Sequence, residues 1–418
     1  MQTTDLLMEY IENSPSPYHA VHSAAVLLEE AGFTRLEECA PWTLEGGRGY
    51  YTTRNQSSLI AFRLPEGAPE GWRLAAAHSD SPTFHVKNDA LEGDSRYIRL
   101  SVEGYGGMNC ASWLDRPLTV AGRAIVRTGE GVEGRLVYLD QDLLTIPSLA
   151  IHQQRDVNRG HDYNAKKDMQ PLYALSGGTP LTALVAEELG VEAGDILSTD
   201  LMLCPRQRPV YLGPEGELFQ APRIDDLGCA YAALEGFLTA GGSRRFGQIY
   251  CLFDNEEVGS GTRQGALSTF LPDVLERIAC CLGMDGQERR MALAGSMLLS
   301  ADNGHAVHPN FGEKIRPGQP GLSHRRGGGQ ILRQPEVYHK RPDGGGVPGH
   351  LPKGGGAGAD LRQPGGRARR LHPGQPAGPA GEHPHGGHRY GPAGHARRRG
   401  DRREPGPRLS GPGLHRLL

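Results

Sequence analysis

The 418-residue sequence has no run of 18 or more apolar residues, and no basic segment followed by an apolar stretch near its start. The first absence argues against a transmembrane helix, and the second against a secretory leader. The seven cysteines are scattered without a Cys-x-x-Cys pair, which argues against a zinc knuckle or a disulfide framework. These absences predict a cytoplasmic protein with reduced thiols.

Charge and composition divide the chain near Lys314. Residues 315–418 hold 19 Lys and Arg against 6 Asp and Glu, whereas residues 1–314 hold 26 against 42. The tail also carries 26 Gly and 15 Pro, and few β-branched residues. Because such a segment buries too little apolar surface to offset its chain entropy, we expect residues 315–418 to be disordered.

The acidic part has the pattern of an α/β fold. Helical apolar spacing and short strand-like runs alternate within it. Helices are predicted at 18–31, 227–240 and 271–282, and strands at 59–63, 73–77, 248–253 and 297–301. Short β-like runs and many turns between about 88 and 218 indicate an inserted, mostly β module. The predicted domain therefore consists of 1–88 and 219–314, with the insertion at 89–218 and the low-complexity tail at 315–418.

The first candidate motif is His78-Ser79-Asp80, which directly follows an apolar run. Open α/β sheets bind ligands at the carboxyl ends of their strands. A histidine with a carboxylate two residues later suits a metal ligand whose second ring nitrogen is held by a partner. The same pattern is also common in surface turns.

A second motif, Asp-Asn-Glu-Glu at 254–257, follows the apolar run 248–253. Acidic side chains at the end of a buried strand are costly unless a cation lies beside them. One of two adjacent glutamates can ligate a metal while the other acts as a general base. An acidic helix N-terminus, favoured by the helix dipole, is the alternative interpretation.

Two further aspartates stand at the boundaries of predicted elements. Asp225 precedes a helix and is either a bridging metal ligand or an N-cap. Asp302 follows the apolar run 297–301 in the segment Ser-Ala-Asp-Asn-Gly-His. Carboxylates and an imidazole at three strand ends match a zinc-type site.

Taken together, these motifs resemble the M18 family of metallo-aminopeptidases, the aspartyl-aminopeptidase-like group. The matching segments are HSDSP at 78–82, SWLDRPLTVAGR at 112–123, LAIHQQR at 149–155, APRID at 221–225, DNEEVGS at 254–260 and SADNGHAVHPN at 300–310. The resemblance covers residues 1–314 in order. It implies a zinc-peptidase α/β/α catalytic domain with an inserted β dimerisation domain, assembled into a large homo-oligomer, often a dodecamer.

The resemblance also implies a set of metal ligands. His78, Asp225 and Asp302 would hold one zinc ion. Asp225 would bridge to a second zinc ion, which also takes Glu257. His152 would line the site, either as a ligand or as a substrate contact that reaches across a subunit interface.

The implied chemistry is removal of N-terminal residues from peptides by a water molecule that two zinc ions activate. Glu256 would be the general base, and Asp80 would orient His78. Acidic or neutral first residues are the expected substrates.

The tail departs from the family pattern. A C-terminal histidine that completes the second zinc site, in a segment like Ala-Met-His, is not found here, and neither is the family's Gly-Gly-Ser-Thr loop. A back-translation of the tail with freely chosen synonymous codons, read one nucleotide later, supplies both. It gives SDPANRAYLTGGAVVKFSASQKYTT, GGSTLGN and TVDIGMAQLAMHAAVETAG, in family order. We therefore interpret residues 315–418 as the product of a frameshift near Lys314, and predict that this chain is poorly folded and inactive.

Two other functions compete with the enzyme. The Arg- and Gly-rich tail suggests a nucleic-acid-binding protein, but Tyr338 and Tyr390 are its only aromatic residues, so we expect no nucleic-acid partner and no membrane partner. A non-catalytic oligomeric scaffold related to the enzyme is the other alternative. Zinc content distinguishes it from the enzyme.

Overall fold

The computed structural model of the protein describes residues 3–93, 96–306 and 308–314, together with two short strands in the tail. The helices are α1 Thr3–Glu12, α2 Pro17–Glu30, α3 Ala165–Asp168, α4 Leu181–Leu189, α5 Ile224–Thr239, α6 Phe270–Cys281 and α7 Gly286–Ala294. The strands are β1 Thr34–Arg35, β2 Gly49–Arg54, β3 Ser58–Arg63, β4 Gly71–His78, β5 Thr83–Gly93, β6 Tyr97–Tyr105, β7 Leu118–Thr128, β8 Gly131–Tyr138, β9 Leu172–Leu175, β10 Ile196–Pro205, β11 Val210–Leu212, β12 Leu218–Gln220, β13 Phe246–Phe253, β14 Met297–Ser300, β15 Tyr338–Lys340 and β16 Gly346–Pro348. Apart from β15 and β16, which pair with each other, the predicted disorder of 315–418 falls outside the described residues.

The first sheet has the order β1-β2-β3-β13-β4-β14. Its strands β4, β13 and β14 are mutually parallel, with β4 in the middle. Phe253 pairs with His78, and Ser300 pairs with Ala76. The carboxyl ends of all three strands therefore meet at one edge of the sheet, where the sequence motifs begin.

Helices cover both faces of this sheet, which confirms the predicted α/β/α architecture. Strand β13 is buried on both sides, and its residues alternate between two cores. Tyr250 and Leu252 pack with α1, α2 and α5, whereas Ile249, Cys251 and Phe253 pack with α6. A strand covered on both faces reads as a continuous apolar run, which explains the QIYCLF segment.

The three predicted helices are present as α2, α5 and α6. Helix α2 begins after Ser16, whose hydroxyl caps it, with Pro17 at the first position. Gly32, which follows the predicted helix 18–31, has a φ of +82° and donates its N–H to the carbonyl of Glu29. Within the described ranges, no helix combines the length and apolar character that crossing a bilayer requires.

A second sheet, antiparallel throughout, occupies the region of the predicted insertion. Its order is β8-β7-β10-β5-β6-β9, and α4 packs on it. Strand β5 begins at Thr83, ahead of the predicted limit at residue 88, because residues 79–82 lead directly from the end of β4 into β5. The limits at 88 and 218 remain sequence-based predictions.

Candidate metal centre

The imidazole of His78 stands at the carboxyl end of β4 and is almost fully buried. Its Nε2 lies 3.6 Å from Oδ1 of Asp225 and 3.8 Å from Oδ1 of Asp302. Oδ2 of Asp226 and Oε2 of Glu256 each lie 3.9 Å from the same nitrogen. Four carboxylates therefore converge on one ring nitrogen.

Two groups of possible ligands share this histidine, and in each the ligand atoms lie within 4.8 Å of one another. The first group is His78, Asp225, Asp226 and Asp302, and the second is His78, Glu256 and Glu257. The structure thus brings together the strand-end residues that the sequence singled out. His152 is exposed and belongs to neither group in the described part of the chain, so its role stays a prediction.

The donor set fits a zinc ion. Among the residues described, Oδ1 of Asp225 is a buried oxygen without a hydrogen-bond partner. Such an atom is unfavourable unless a donor or a cation satisfies it. One imidazole and several carboxylates are ligands that Zn²⁺ accepts. A cation between Asp225 and His78 would satisfy the unpaired oxygen.

The titration behaviour of the site shows the same excess of negative charge. Burial opposes protonation of His78, but its interactions with Asp225, Asp302 and Asp80 outweigh burial and raise its pKa well above the ordinary value. Burial, together with the charge of Asp225, raises the pKa of Glu257 to about 7 although His78 opposes it. These shifts indicate a site that gains from a bound positive charge.

Asp80 contacts both His78 and the backbone of the two glutamates. Nδ1 of His78 lies 3.0 Å from the carbonyl oxygen of Asp80 and 3.3 Å from its Oδ1, so Nδ1 donates and Nε2 faces the carboxylates. The backbone N–H groups of Glu256 and Glu257 donate to the two carboxylate oxygens of Asp80, each at 3.1 Å. These contacts support the predicted orienting role.

Two residues at the centre were not assigned from the sequence. Asp226 is buried, accepts a hydrogen bond from the backbone N–H of His78 at 3.1 Å, and is joined to Asp225 by a cis peptide bond. Its position beside Asp225 was the available signal. Tyr105, at the end of β6, donates to Oδ2 of Asp80 at 2.6 Å. No local pattern points to Tyr105, because it comes from the other sheet.

Comparison with known proteins decides the family. The Aminopeptidase I zinc metalloprotease (M18) family matches residues 10–325. The chain belongs to the M18 family of zinc aminopeptidases. A probable M18 family aminopeptidase 2 of Clostridium novyi is 39% identical over 322 residues, which cover 74% of each protein.

Solved structures of M18 enzymes agree in fold. The structure of Chaetomium thermophilum mApe1 superposes with a TM-score of 0.70 at 31% identity, covering 75% of this chain and 77% of that one. The S. cerevisiae mApe1 dodecamer gives a TM-score of 0.64 at 29% identity, covering 74% and 73%. The protein is thus a hydrolase, a zinc aminopeptidase, which favours the enzyme over the scaffold and nucleic-acid interpretations.

A cleft of about 360 Å³ opens beside the candidate metal centre of this M18 aminopeptidase. Asp225 lines it on the side of the first sheet, while Trp113 and Arg116 line it from the inserted module. Pro15 and Pro17, which flank the start of α2, close another wall. The cleft joins the candidate metal ligands to a space large enough for an amino-acid side chain.

Proposed function

We propose that this chain carries a two-zinc centre that removes N-terminal residues from peptides. His78, Asp225 and Asp302 would hold one ion, and Asp225 and Glu257 the other. The observation that carries the proposal is the convergence of carboxylates on Nε2 of His78, beside a buried Asp225 oxygen that has no hydrogen-bond partner within 3.5 Å. The family's zinc dependence supports the identity of the metal.

Two zinc ions supply a lowered pKa for a water molecule and polarisation of the scissile carbonyl. Glu256 would accept a proton from that water. Its Oε2 lies 3.9 Å from Nε2 of His78, among the candidate ligands, and its side chain is 48% exposed. Burial and neighbouring acids raise the pKa of Glu256, although His78 opposes the shift. A raised pKa also suits the later return of the proton to the leaving amine.

Two features of the cleft support the proposed substrate. The excess carboxylates attract the protonated α-amine of a peptide and hold its first residue beside the metals. Arg116 lines the same cleft and offers a positive charge to an acidic side chain. We therefore propose acidic or neutral first residues.

Self-assembly is proposed on the inserted module. The solved yeast relative is a dodecamer. In this chain Leu149 and Ile151 are 57% and 47% exposed, next to the exposed His152. A segment that presents apolar side chains around a histidine suits a contact with another subunit, so we propose that His152 reaches the centre of a neighbouring copy. We also propose a cytoplasmic location, on the reduced cysteines.

We further propose that residues 315–418 result from a frameshift near Lys314. Among the described strands β14 pairs with β4, and the short tail strand β15 lies near it. Met297 and Leu298 of β14 are nevertheless 47% and 41% exposed. Natural sheets usually cover or charge such an edge. The missing histidine would have fallen at Ala396 or Arg397, so the second zinc site of this chain would lack one ligand. Resequencing the gene around codon 314 tests this, and an unchanged frame would contradict it.

The decisive experiment measures zinc content and hydrolysis in the same samples. The full chain and its frame-corrected form are assayed against a panel of aminoacyl substrates, with and without a chelator. We expect two zinc ions and chelator-sensitive hydrolysis in the corrected protein, and reduced zinc content and no activity in this chain. Glu256→Gln in the corrected protein should keep its zinc and lose about 10²–10⁴-fold in rate. A corrected protein that binds no zinc would favour the scaffold.

A further inference from the structure

The Tyr105 hydroxyl connects the inserted module to the metal centre. Tyr105 is the last residue of β6, in the second sheet, whereas Asp80 follows β4 of the first. Its hydroxyl donates to Oδ2 of Asp80 at 2.6 Å and accepts from Nδ2 of Asn255 at 2.9 Å. Tyr105 therefore binds both segments that carry the proposed ligands and base.

The carboxylate of Asp80 contacts several groups of the proposed centre. It is fully buried, and its carboxylate meets the imidazole of His78 and the backbone N–H groups of Glu256 and Glu257. Rotation of this carboxylate would move a ligand and the base together. The Tyr105 hydroxyl is the side-chain donor from the inserted module that opposes such rotation.

The ring of Tyr105 is itself held in place. His85 stacks on it, with ring centroids 4.7 Å apart and an interplanar angle of 30°. The next residue, Gly106, lies against the acidic loop, residues 254–260, since a Cβ built there would be 2.9 Å from Cβ of Glu257. The hydroxyl thus has a fixed direction, and its hydrogen bond to Asp80 loses little side-chain entropy on forming.

We propose that Tyr105 is a positioning residue, which acts through Asp80 to set the geometry of His78 and of the two glutamates. The inference rests on the proposed metal centre and adds to it a dependence on the inserted module. Groups that hold the partner of a metal ligand commonly change metal affinity by 10- to 100-fold. Tyr105 is one hydrogen bond further from the metal than Asp80, the residue that holds His78. We therefore expect a change in zinc affinity at the lower end of this range.

The test uses the full chain and measures zinc affinity by competition with a chromophoric chelator. Tyr105→Phe removes the hydroxyl and keeps the ring, and should weaken zinc binding about tenfold. It should also change the visible absorption of the Co²⁺-loaded protein. Tyr173→Phe is the matched control, because its hydroxyl donates to the Thr179 carbonyl at 2.7 Å in the same module, and it should change neither quantity.

A double-mutant cycle with Asp80→Asn shows whether the effect passes through Asp80. If it does, Tyr105→Phe should change zinc affinity less than twofold in the Asp80→Asn background, while the single Asp80→Asn variant binds zinc more weakly than the unmodified chain. An unchanged affinity in the single Tyr105→Phe variant would overturn the inference, as would an equal loss in both backgrounds. If neither the unmodified chain nor its frame-corrected form binds zinc, the proposed metal centre fails together with this inference. If only the frame-corrected form binds zinc, the same variants are compared in that form. Zinc binding without a Tyr105 effect refutes this inference alone.

Discussion

Substituting Gly106 with alanine places a methyl group where the inserted module touches the acidic loop. The backbone of Gly106 has a φ of +73°, and the added Cβ would lie 2.9 Å from Cβ of Glu257 and 3.2 Å from its Oε2. A contact that short forces Glu257 to move. Left-handed backbone at a residue other than glycine costs a further ~1–2 kcal/mol. Gly106→Ala should therefore reduce both stability and zinc binding.

Gly32→Ala separates these two effects. Gly32 has a φ of +82° and no atom within 4 Å of the added Cβ, so its alanine variant carries the backbone strain alone. Urea denaturation of the zinc-free proteins should show a loss of ~1–2 kcal/mol for Gly32→Ala and at least as much for Gly106→Ala. Zinc titration should show an affinity about tenfold or more weaker for Gly106→Ala only. Equal zinc affinities in the two variants would refute the placement of Glu257 against the inserted module.

Two further predictions concern acids at the candidate centre, buried Asp254 and half-exposed Asp225, and exposed Asp162 serves as the control position for both. Burial raises the pKa of Asp254 to about 7, so its contribution to stability is full below pH ~3.8 and is lost as the pH rises towards 7. Asp254→Asn should therefore become more stable relative to the unmodified chain between pH 4 and 8, by up to ~4 kcal/mol in denaturant titrations, and a constant difference would contradict the burial argument. Asp225→Asn should lose at least about tenfold in zinc affinity while raising the melting temperature of the zinc-free protein, because it removes one charge from a crowded set. A loss of both would show that Asp225 serves the fold rather than a metal.

The sequence indicated the residues of the candidate centre where they follow apolar runs that form parallel strands. His78, the 254–257 motif and Asp302 each come after an apolar run, and parallel strands bring their carboxyl ends to one edge. Apolar periodicity likewise predicted α2, α5 and α6. Both inferences depend on local patterns that burial imposes on the chain.

Features that depend on tertiary proximity could not be predicted. Tyr105 meets Asp80 only because β6 of the second sheet ends beside the first sheet. Helices α1 and α7 were not predicted. The mean hydropathy of α7 is low and its buried face is Ala292, so it shows little amphipathic pattern. The second sheet begins at Thr83, five residues ahead of the predicted limit at residue 88, since only residues 79–82 separate β4 from β5.

The candidate metal centre lies next to β14, the last strand of the first sheet, and this links metal binding to folding. Asp302 follows β14, and its side chain is 55% exposed. Zinc at 100 times its dissociation constant would add ~2.7 kcal/mol to stability by binding the folded state. That is a large fraction of the ~5–15 kcal/mol that typically stabilises a domain. It does not bury Met297 and Leu298, however, because these side chains lie on the strand before the ligand. We therefore expect metal binding and the packing of side chains on β14 to stabilise the fold independently.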